Sequence, residues 1–242
     1  MRITLENWTD GVAIGGLKIS NLRYADDTTL FATNIAHIED LVSRMEKVSR
    51  EFGLRVNFAK TKVMIIDRIN NNSPEITTIA NCEVVQSYIY LGALISNNGG
   101  CIDEIKRRMA ITRSAMDKLK KIWKNRNITK TTKIRLVRTL VFPIFLYAAE
   151  TWTLREIEKK KIDALEMWCW RRMLGVSWTE FRTNKSILDD LGISQRLSSI
   201  VQSRILTFFG HVSRRGDMSI ERLVVQGRVE GTRARGRSPR RW

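Results

Sequence analysis

The sequence predicts an α+β protein, in which a small antiparallel sheet with one packed helix precedes an entirely helical part. Before residue 97, short apolar runs alternate with a single amphipathic helical pattern, and after residue 100 the apolar residues recur at helical spacing only. The run Asn97-Asn98-Gly99-Gly100 is the clearest boundary between the two patterns. We therefore expect one domain over residues 1–98, a second over 99–226 and a disordered Arg- and Gly-rich tail over 227–242.

The first predicted element is a β-hairpin. Apolar runs over residues 17–22 and 28–32 flank Tyr24-Ala25-Asp26-Asp27, which places adjacent carboxylates at the hairpin tip. Two carboxylates this close repel each other, and a bound Mg²⁺ ion would neutralise them. A metal held there can organise phosphoryl transfer. The alternative is that both aspartates are turn residues whose side chains bond their own backbone.

One helix and several short strands follow the hairpin. Asn34 is the predicted N-cap of the helix, and Gly53 is its predicted left-handed C-cap. Alternating apolar residues then predict further strands, with a loop over residues 70–74 among them. These predicted strands cover residues 54–58, 62–66, 75–79, 82–86 and 88–95.

Residues after 100 predict helices only. The first carries apolar residues from Ile102 to Trp123, and Thr129 caps a second helix that Pro143 should kink. A third helix should run from 155 to 174 and end at Gly175. Shorter helices are predicted near residues 185–191, 195–211 and 220–226.

The charge of the chain indicates a polyanionic partner. Lys and Arg number 42 against 25 Asp and Glu, a net charge of +17, and nucleic acid is the commonest polyanion. No apolar run is long enough to span a bilayer, and the N-terminus has no secretion signal. We therefore expect an intracellular protein, in the nucleus or cytoplasm, with no membrane partner. The three cysteines are far apart and odd in number, which indicates free thiols.

Basic residues concentrate in two segments. Between residues 100 and 140 lie 13 Lys and Arg but only 3 Asp and Glu. Lys118, Lys121 and Lys124 recur at i, i+3 spacing and could follow a phosphate backbone, the alternative being an ordinary solvated helix surface. The tail arginines should add sequence-independent affinity for nucleic acid or serve as a nuclear-import signal. Among them are Arg233, Arg235 and Arg237.

Three motifs in this order resemble the reverse transcriptase of non-LTR (LINE-type) retrotransposons. They are residues 24–28, residues 53–62 after the intervening helix, and Tyr90-Leu91-Gly92. The resemblance covers essentially the whole chain, with the C-terminal part of the palm over residues 1–98 and the helical thumb after it. It implies an RNA-directed DNA polymerase, a nucleotidyltransferase that uses Mg²⁺ and nucleotides and has RNA and DNA as partners.

The resemblance also implies roles for individual residues. Asp26 matches the metal-binding carboxylate of this hairpin, and Asp27 is its partner with a less direct metal contact. Tyr24 and Ala25 would lie near the 3′ end of the primer. Lys60 would border the phosphates of the incoming nucleotide and neutralise charge or protonate the leaving pyrophosphate. The alternative for Lys60 is a solvated lysine at the end of a strand.

The third motif resembles the primer-grip hairpin of the same family. Tyr90, Leu91 and Gly92 would then hold the primer strand. Packing of Tyr90 and Leu91 in the core is an equally good explanation of those two residues.

The family's two-metal site takes a third carboxylate from an earlier strand. Only 23 residues precede Tyr24, and their acidic members, Glu6 and Asp10, do not match the family's aromatic-Asp pattern. We therefore expect a fragment that is inactive by itself, with the fingers and the first part of the palm supplied by another chain or by upstream exons. The alternative is a non-catalytic basic protein that binds nucleic acid through the thumb and tail.

Overall fold

The computed structural model describes residues 3–67, 76–216 and 219–226, and its contacts divide the chain into two compact units. The first unit comprises residues 1–88 and 209–242, and the second comprises residues 89–208. These units differ from the predicted ranges 1–98 and 99–226. The first boundary falls earlier because residues 93–96 form a strand that packs on the helix following it. The predicted tail, residues 227–242, lies outside the described residues.

The first unit begins with two successive hairpins. Strand β1 (Val12–Ile14) pairs antiparallel with β2 (Leu17–Ile19), and β3 (Asn21–Tyr24) pairs antiparallel with β4 (Asp27–Leu30). The strand predicted over residues 17–22 is therefore two strands with different partners. The Gly15–Gly16 turn, where both glycines have positive φ, folds β2 back onto β1, whereas β3 pairs with β4.

Helix α1 (Ile35–Glu51) has the predicted caps. The Asn34 side chain accepts a hydrogen bond from the His37 N–H at 2.8 Å, and Gly53 follows the helix with φ +71°. The strand predicted over residues 54–58 is wrong. Residues 54–57 have no regular secondary structure, and Leu54 is 65% exposed, so the alternating pattern has no buried face.

A three-stranded sheet follows α1 in the first unit. It contains β5 (Lys62–Val63), β6 (Thr78–Ile79) and β7 (Cys82–Val84) in the order β5-β7-β6. The β6–β7 pair is antiparallel but β5–β7 is parallel, so this sheet is mixed rather than antiparallel as predicted. The predicted loop over residues 70–74 lies outside the described residues.

The strand predicted over residues 88–95 is a hairpin, because Leu91 and Gly92 turn the chain at positive φ. The first predicted helix, from Ile102 to Trp123, is two helices, and the later helices follow the predicted order. Strands β8 (Ser87–Tyr90) and β9 (Ala93–Ser96) pair with each other, and Thr129 and Gly175 cap helices as predicted. In place of the predicted kink at Pro143 there is a π-helical segment, Val137–Val141, which ends two residues before the proline. The helices are α2 (Ile102–Lys118), α3 (Lys120–Lys124), α4 (Lys130–Leu136), α5 (Phe142–Phe145), α6 (Glu156–Leu174), α7 (Asn184–Leu191), α8 (Leu197–Ser213) and α9 (Ile220–Gln226).

The large hydrophobic core belongs to the second unit. It packs α2, α5, α6 and α8 around fully buried side chains, including Phe145, Ile162, Leu165, Trp170 and Leu197. The prediction of free thiols is confirmed, with Cys82 and Cys169 buried and Cys101 half-buried. Of the helices in the described residues, none combines the length and apolar character that crossing a membrane requires.

Candidate functional site

The predicted tip of the aspartate hairpin is confirmed. The register pairs Tyr24 with Asp27, so Ala25 and Asp26 form a two-residue turn, with Ala25 in the left-handed region at φ 51°. Asp26 and Asp27 are both exposed, and Tyr24 is 63% exposed. Within the described residues neither carboxylate accepts a hydrogen bond, which argues against the alternative that they bond their own backbone.

Two adjacent, solvent-exposed carboxylates can bind a cation. Their oxygens are hard ligands of the kind Mg²⁺ prefers, and Mg²⁺ usually adds water and substrate phosphates to one or two protein carboxylates. The described part of the chain contains no group of three His, Cys, Asp or Glu side chains able to hold a metal. A Mg²⁺ site at this hairpin would therefore have two protein ligands, Asp26 and Asp27, with water and substrate phosphates as the others.

Asp10 has a different role from that of a metal ligand. Its carboxylate accepts hydrogen bonds from the Thr33 N–H at 2.9 Å and from the Thr33 hydroxyl at 2.8 Å, and it contacts His37 Nδ1 at 2.8 Å. Burial raises the pKa of Asp10, but the hydrogen bonds from Thr33 and His37 outweigh it and hold that pKa well below 3.8. Sequence reasoning missed this contact because its partners lie 23 and 27 residues away.

Lys60 lies in a turn rather than at the end of a strand. The Asn57 carbonyl accepts hydrogen bonds from the N–H groups of Lys60 and Thr61, and the Asn57 side chain also accepts from Lys60 N–H at 3.1 Å. The Lys60 side chain is exposed and has no ion-pair partner in the described part of the chain. Its ammonium group is therefore available to an external anion.

The Tyr90-Leu91-Gly92 motif forms the turn between β8 and β9. Leu91 has φ +47° and Gly92 has φ +79°, as a type I′ hairpin turn requires. Leu91 is 38% exposed, so the alternative of core packing is wrong for this residue, while Tyr90 is half-buried. A branched residue at positive φ is unusual and needs support from its surroundings.

Side chains from α2 and from the turn after α5 supply that support. The Tyr147 hydroxyl donates to the Leu91 carbonyl at 2.6 Å, and Arg108 donates to the Gly92 carbonyl. The Arg108 guanidinium also lies 4.5 Å from the centroid of the Tyr147 ring. These contacts fix the turn through its backbone.

The buried carboxylate of Glu104 completes the contacts around this turn. It pairs with Arg108 Nε at 2.6 Å and accepts from the Leu94 N–H at 3.0 Å. The i, i+4 spacing of Glu104 and Arg108 in α2 was the available sequence signal, but it does not reveal that both side chains are buried.

The lysines predicted to share one helix face do not lie on one helix. Lys118 ends α2 and Leu119 separates it from α3, which carries Lys121 and Lys124. The Trp123 indole N–H donates at 2.8 Å to the Met116 carbonyl, the oxygen that would accept from residue 120 in an uninterrupted helix. All three lysines are exposed, and no acidic side chain pairs with them in the described ranges.

One tryptophan and the tail arginines remain to be placed. Trp170 is fully buried against Phe142, with ring centroids 5.2 Å apart, so this tryptophan belongs to the core. The predicted nucleic-acid contacts at Arg233, Arg235 and Arg237 lie outside the described residues and stay predictions.

Comparison with known proteins gives one informative match. The chain is 28% identical over 239 residues to a Caenorhabditis elegans protein whose name calls it transposon-derived and uncharacterised. The alignment covers 95% of this chain and 84% of that protein. This similarity supports a transposon origin. No family model and no solved structure matches the chain.

Proposed function

We propose that this chain derives from the reverse transcriptase of a non-LTR retrotransposon and that Asp26 and Asp27 are metal-binding carboxylates of an RNA-directed DNA polymerase. The observation that supports this proposal most is the hairpin tip, which presents both carboxylates to solvent without a partner in the described residues. Mg²⁺ bound there would orient and neutralise nucleotide phosphates. Lys60 is a further candidate for contact with those phosphates.

Metal binding at the hairpin can be tested without an activity assay. We expect Mn²⁺ to broaden the amide NMR signals of residues 24–28 selectively, and the double variant D26N/D27N to lose this effect. Asp189 and Asp190 in helix α7 control for adjacency alone, because they are also adjacent and exposed, although Asp190 pairs with Lys130 and Arg182. Equal broadening at both aspartate pairs would show non-specific binding and contradict the proposal.

Whether the chain polymerises by itself is a separate question. We expect no primer extension on an RNA template with Mg²⁺ and nucleotides, because the family's site uses a carboxylate beyond Asp26 and Asp27. Extension that the single variant D26N abolishes would contradict this expectation and would assign polymerase activity to the chain alone.

A second candidate function is nucleic-acid binding without catalysis. The observation that favours it is the set of exposed lysines Lys118, Lys121 and Lys124, which have no acidic partner in the part of the chain described. Unpaired surface cations neutralise phosphates and release counterions, so the affinity should fall steeply with salt concentration.

Charge-removing variants test this second candidate. We expect K118Q/K121Q/K124Q to weaken RNA binding and to reduce the slope of log K against log salt by about two to three. The matched control is K62Q/K130Q/K159Q, which removes three lysines that pair with Glu83, Asp190 and Glu156. Binding should survive D26N/D27N. An affinity that does not change with salt would contradict this candidate.

A further inference from the structure

Helices α2 and α6 run parallel, side by side, in the second unit. The Cys101 thiol at the start of α2 donates to the Thr153 carbonyl at 2.9 Å, just before α6. Near the other end, Arg172 pairs with Asp117 at 2.8 Å. The sequence separation is 52 residues at the first contact and 55 at the second. Because these separations are nearly equal, each residue of α2 lies beside the residue of α6 that is about 52 to 55 positions later in the chain.

One row of side chains on each helix borders this contact, and all of them are exposed except Trp168, which is half-buried. The members of each row are three or four residues apart and so lie on one helix face. Within each row lies one exposed alanine, Ala110 in α2 and Ala164 in α6, and its small side chain leaves the surface shallow. We call this surface the α2–α6 groove. Its rows are Lys106, Ala110, Arg113 and Asp117 on α2, and Lys161, Ala164, Trp168 and Arg172 on α6.

The groove has an excess of positive charge. Lys106 pairs with Asp103 at 3.1 Å, and Arg172 pairs with Asp117, so these two cations are partly neutralised. Arg113 and Lys161 have no acidic partner in the described residues, and both are exposed. A polyanion is therefore the partner whose charge complements this surface.

The middle of the groove has a flat cationic contact surface. The guanidinium carbon of Arg113 lies 5.8 Å from the centroid of the Trp168 ring, within the distance of a cation–π interaction. Trp168 is half-buried and packs on the core, so the ring provides a firm support for Arg113. A planar guanidinium held in this way can stack on an unpaired base, which a lysine cannot do.

We propose that the α2–α6 groove binds single-stranded nucleic acid, with Arg113 stacking on a base and Lys161 contacting a phosphate. This inference rests on the nucleic-acid binding proposed above and names its substrate class. From residue 106 to residue 117 the groove extends about 16 Å, which matches roughly five nucleotides at the 3.4 Å repeat of stacked bases. A duplex offers this surface phosphates only, because its base faces are covered by their neighbours.

The test compares a normal 12-nucleotide single strand with an abasic strand of equal charge. We expect the wild-type chain to bind the normal strand about tenfold more tightly, since stacking on one base accounts for a preference of this size. The variant R113K keeps the positive charge but loses the planar group, so it should bind the two strands equally. The control R135K makes the same change at an exposed arginine of α4, outside the groove, and should behave as wild type.

Further results would separate the groove from the general binding function. Wild type and R113K should bind a 12-base-pair duplex with equal affinity. Loss of affinity in K118Q/K121Q/K124Q with no effect of R113K would overturn the groove but leave nucleic-acid binding intact. If the wild-type chain binds no strand, both proposals fail. Binding to phosphatidylserine vesicles in preference to the single strand would also overturn the groove proposal.

Discussion

Asp10 illustrates how a single side chain joins distant parts of the first unit. Its carboxylate binds Thr33, between β4 and α1, and His37 in the first turn of α1. Hydrogen bonds to an ionised carboxylate are stronger than those between neutral groups, and a pKa held below its ordinary value reports that difference. Asp10 therefore connects the N-terminal segment to the start of α1.

The pH dependence of stability should reveal this contact. Because the folded-state pKa of Asp10 is lowered, its contribution is complete above the unfolded pKa near 3.8 and is lost as the pH falls through the lower, folded value. We expect D10N to reduce the free energy of unfolding by about 2 kcal/mol at pH 7, and by less at pH 3. Denaturant unfolding at both pH values measures this.

The control for this prediction is D40N. Asp40 pairs with Arg44 on the exposed surface of α1, where an ion pair contributes about 0.5 kcal/mol or less. An equal effect of D10N and D40N at pH 7 would show that the Thr33 and His37 contacts contribute little.

Ala25 provides a second test at the residue scale, because its backbone is left-handed in the hairpin turn. A side chain in this region costs about 1 kcal/mol or more, which glycine avoids. We expect A25G to raise the free energy of unfolding by up to about 1 kcal/mol. The same substitution at Ala36, exposed in α1, should lower it by about 1 kcal/mol. Thermal unfolding with the same sign at both positions would contradict the assigned turn.

At the scale of elements, α2 holds the β8–β9 turn through buried charges. Glu104 pairs with both Arg107 and Arg108, and the side chains of Glu104 and Arg108 are almost fully buried. Removing one member of a buried pair leaves the other without compensation, and this usually costs more than the pair itself contributes.

We therefore expect E104A to lower the free energy of unfolding by about 3–5 kcal/mol, because Arg108 and the Leu94 N–H both lose their partner. D103A removes the neighbouring carboxylate, which is exposed and pairs with Lys106, and should cost about 0.5 kcal/mol or less. Urea unfolding of both variants measures the difference. A cost for E104A as small as that for D103A would show that the turn does not depend on this pair.

At the scale of the whole molecule, the two units differ in how much apolar surface they bury. The second unit contains the large core around Phe145, Leu165 and Trp170. Buried apolar side chains in the described part of the first unit are fewer, among them Leu41, Val42 and Ile79. Burial of apolar surface is the main favourable term in folding, so the second unit should be the more stable one.

Hydrogen exchange can measure this difference directly. We expect the slowest amides in α2, α5 and α6, and faster exchange in β3 and β4, whose residues are mostly exposed. The other short strands of the first unit, β1, β2, β5, β6 and β7, should exchange faster than α2, α5 and α6. Protection in the aspartate hairpin equal to that in α6 would contradict the assigned difference in stability.

The sequence by itself determined the features that depend on neighbouring residues. The Asn34 and Thr129 caps, the Gly175 helix end and the aspartate hairpin tip all follow from local backbone preferences, and the structure has each of them. The net positive charge also follows from composition, because the sum of the charges of a chain does not depend on its fold.

Only the tertiary structure decided what depends on residues distant in the chain. Residues 54–58 alternate like a strand but have no partner strand in the described residues, and the predicted lysine face is broken where the Trp123 indole binds a helix carbonyl. The partners of Asp10 and of the Leu91 turn lie 16 to 56 residues away. Local patterns cannot specify such contacts, because packing free energy comes from surfaces that meet only in the folded chain.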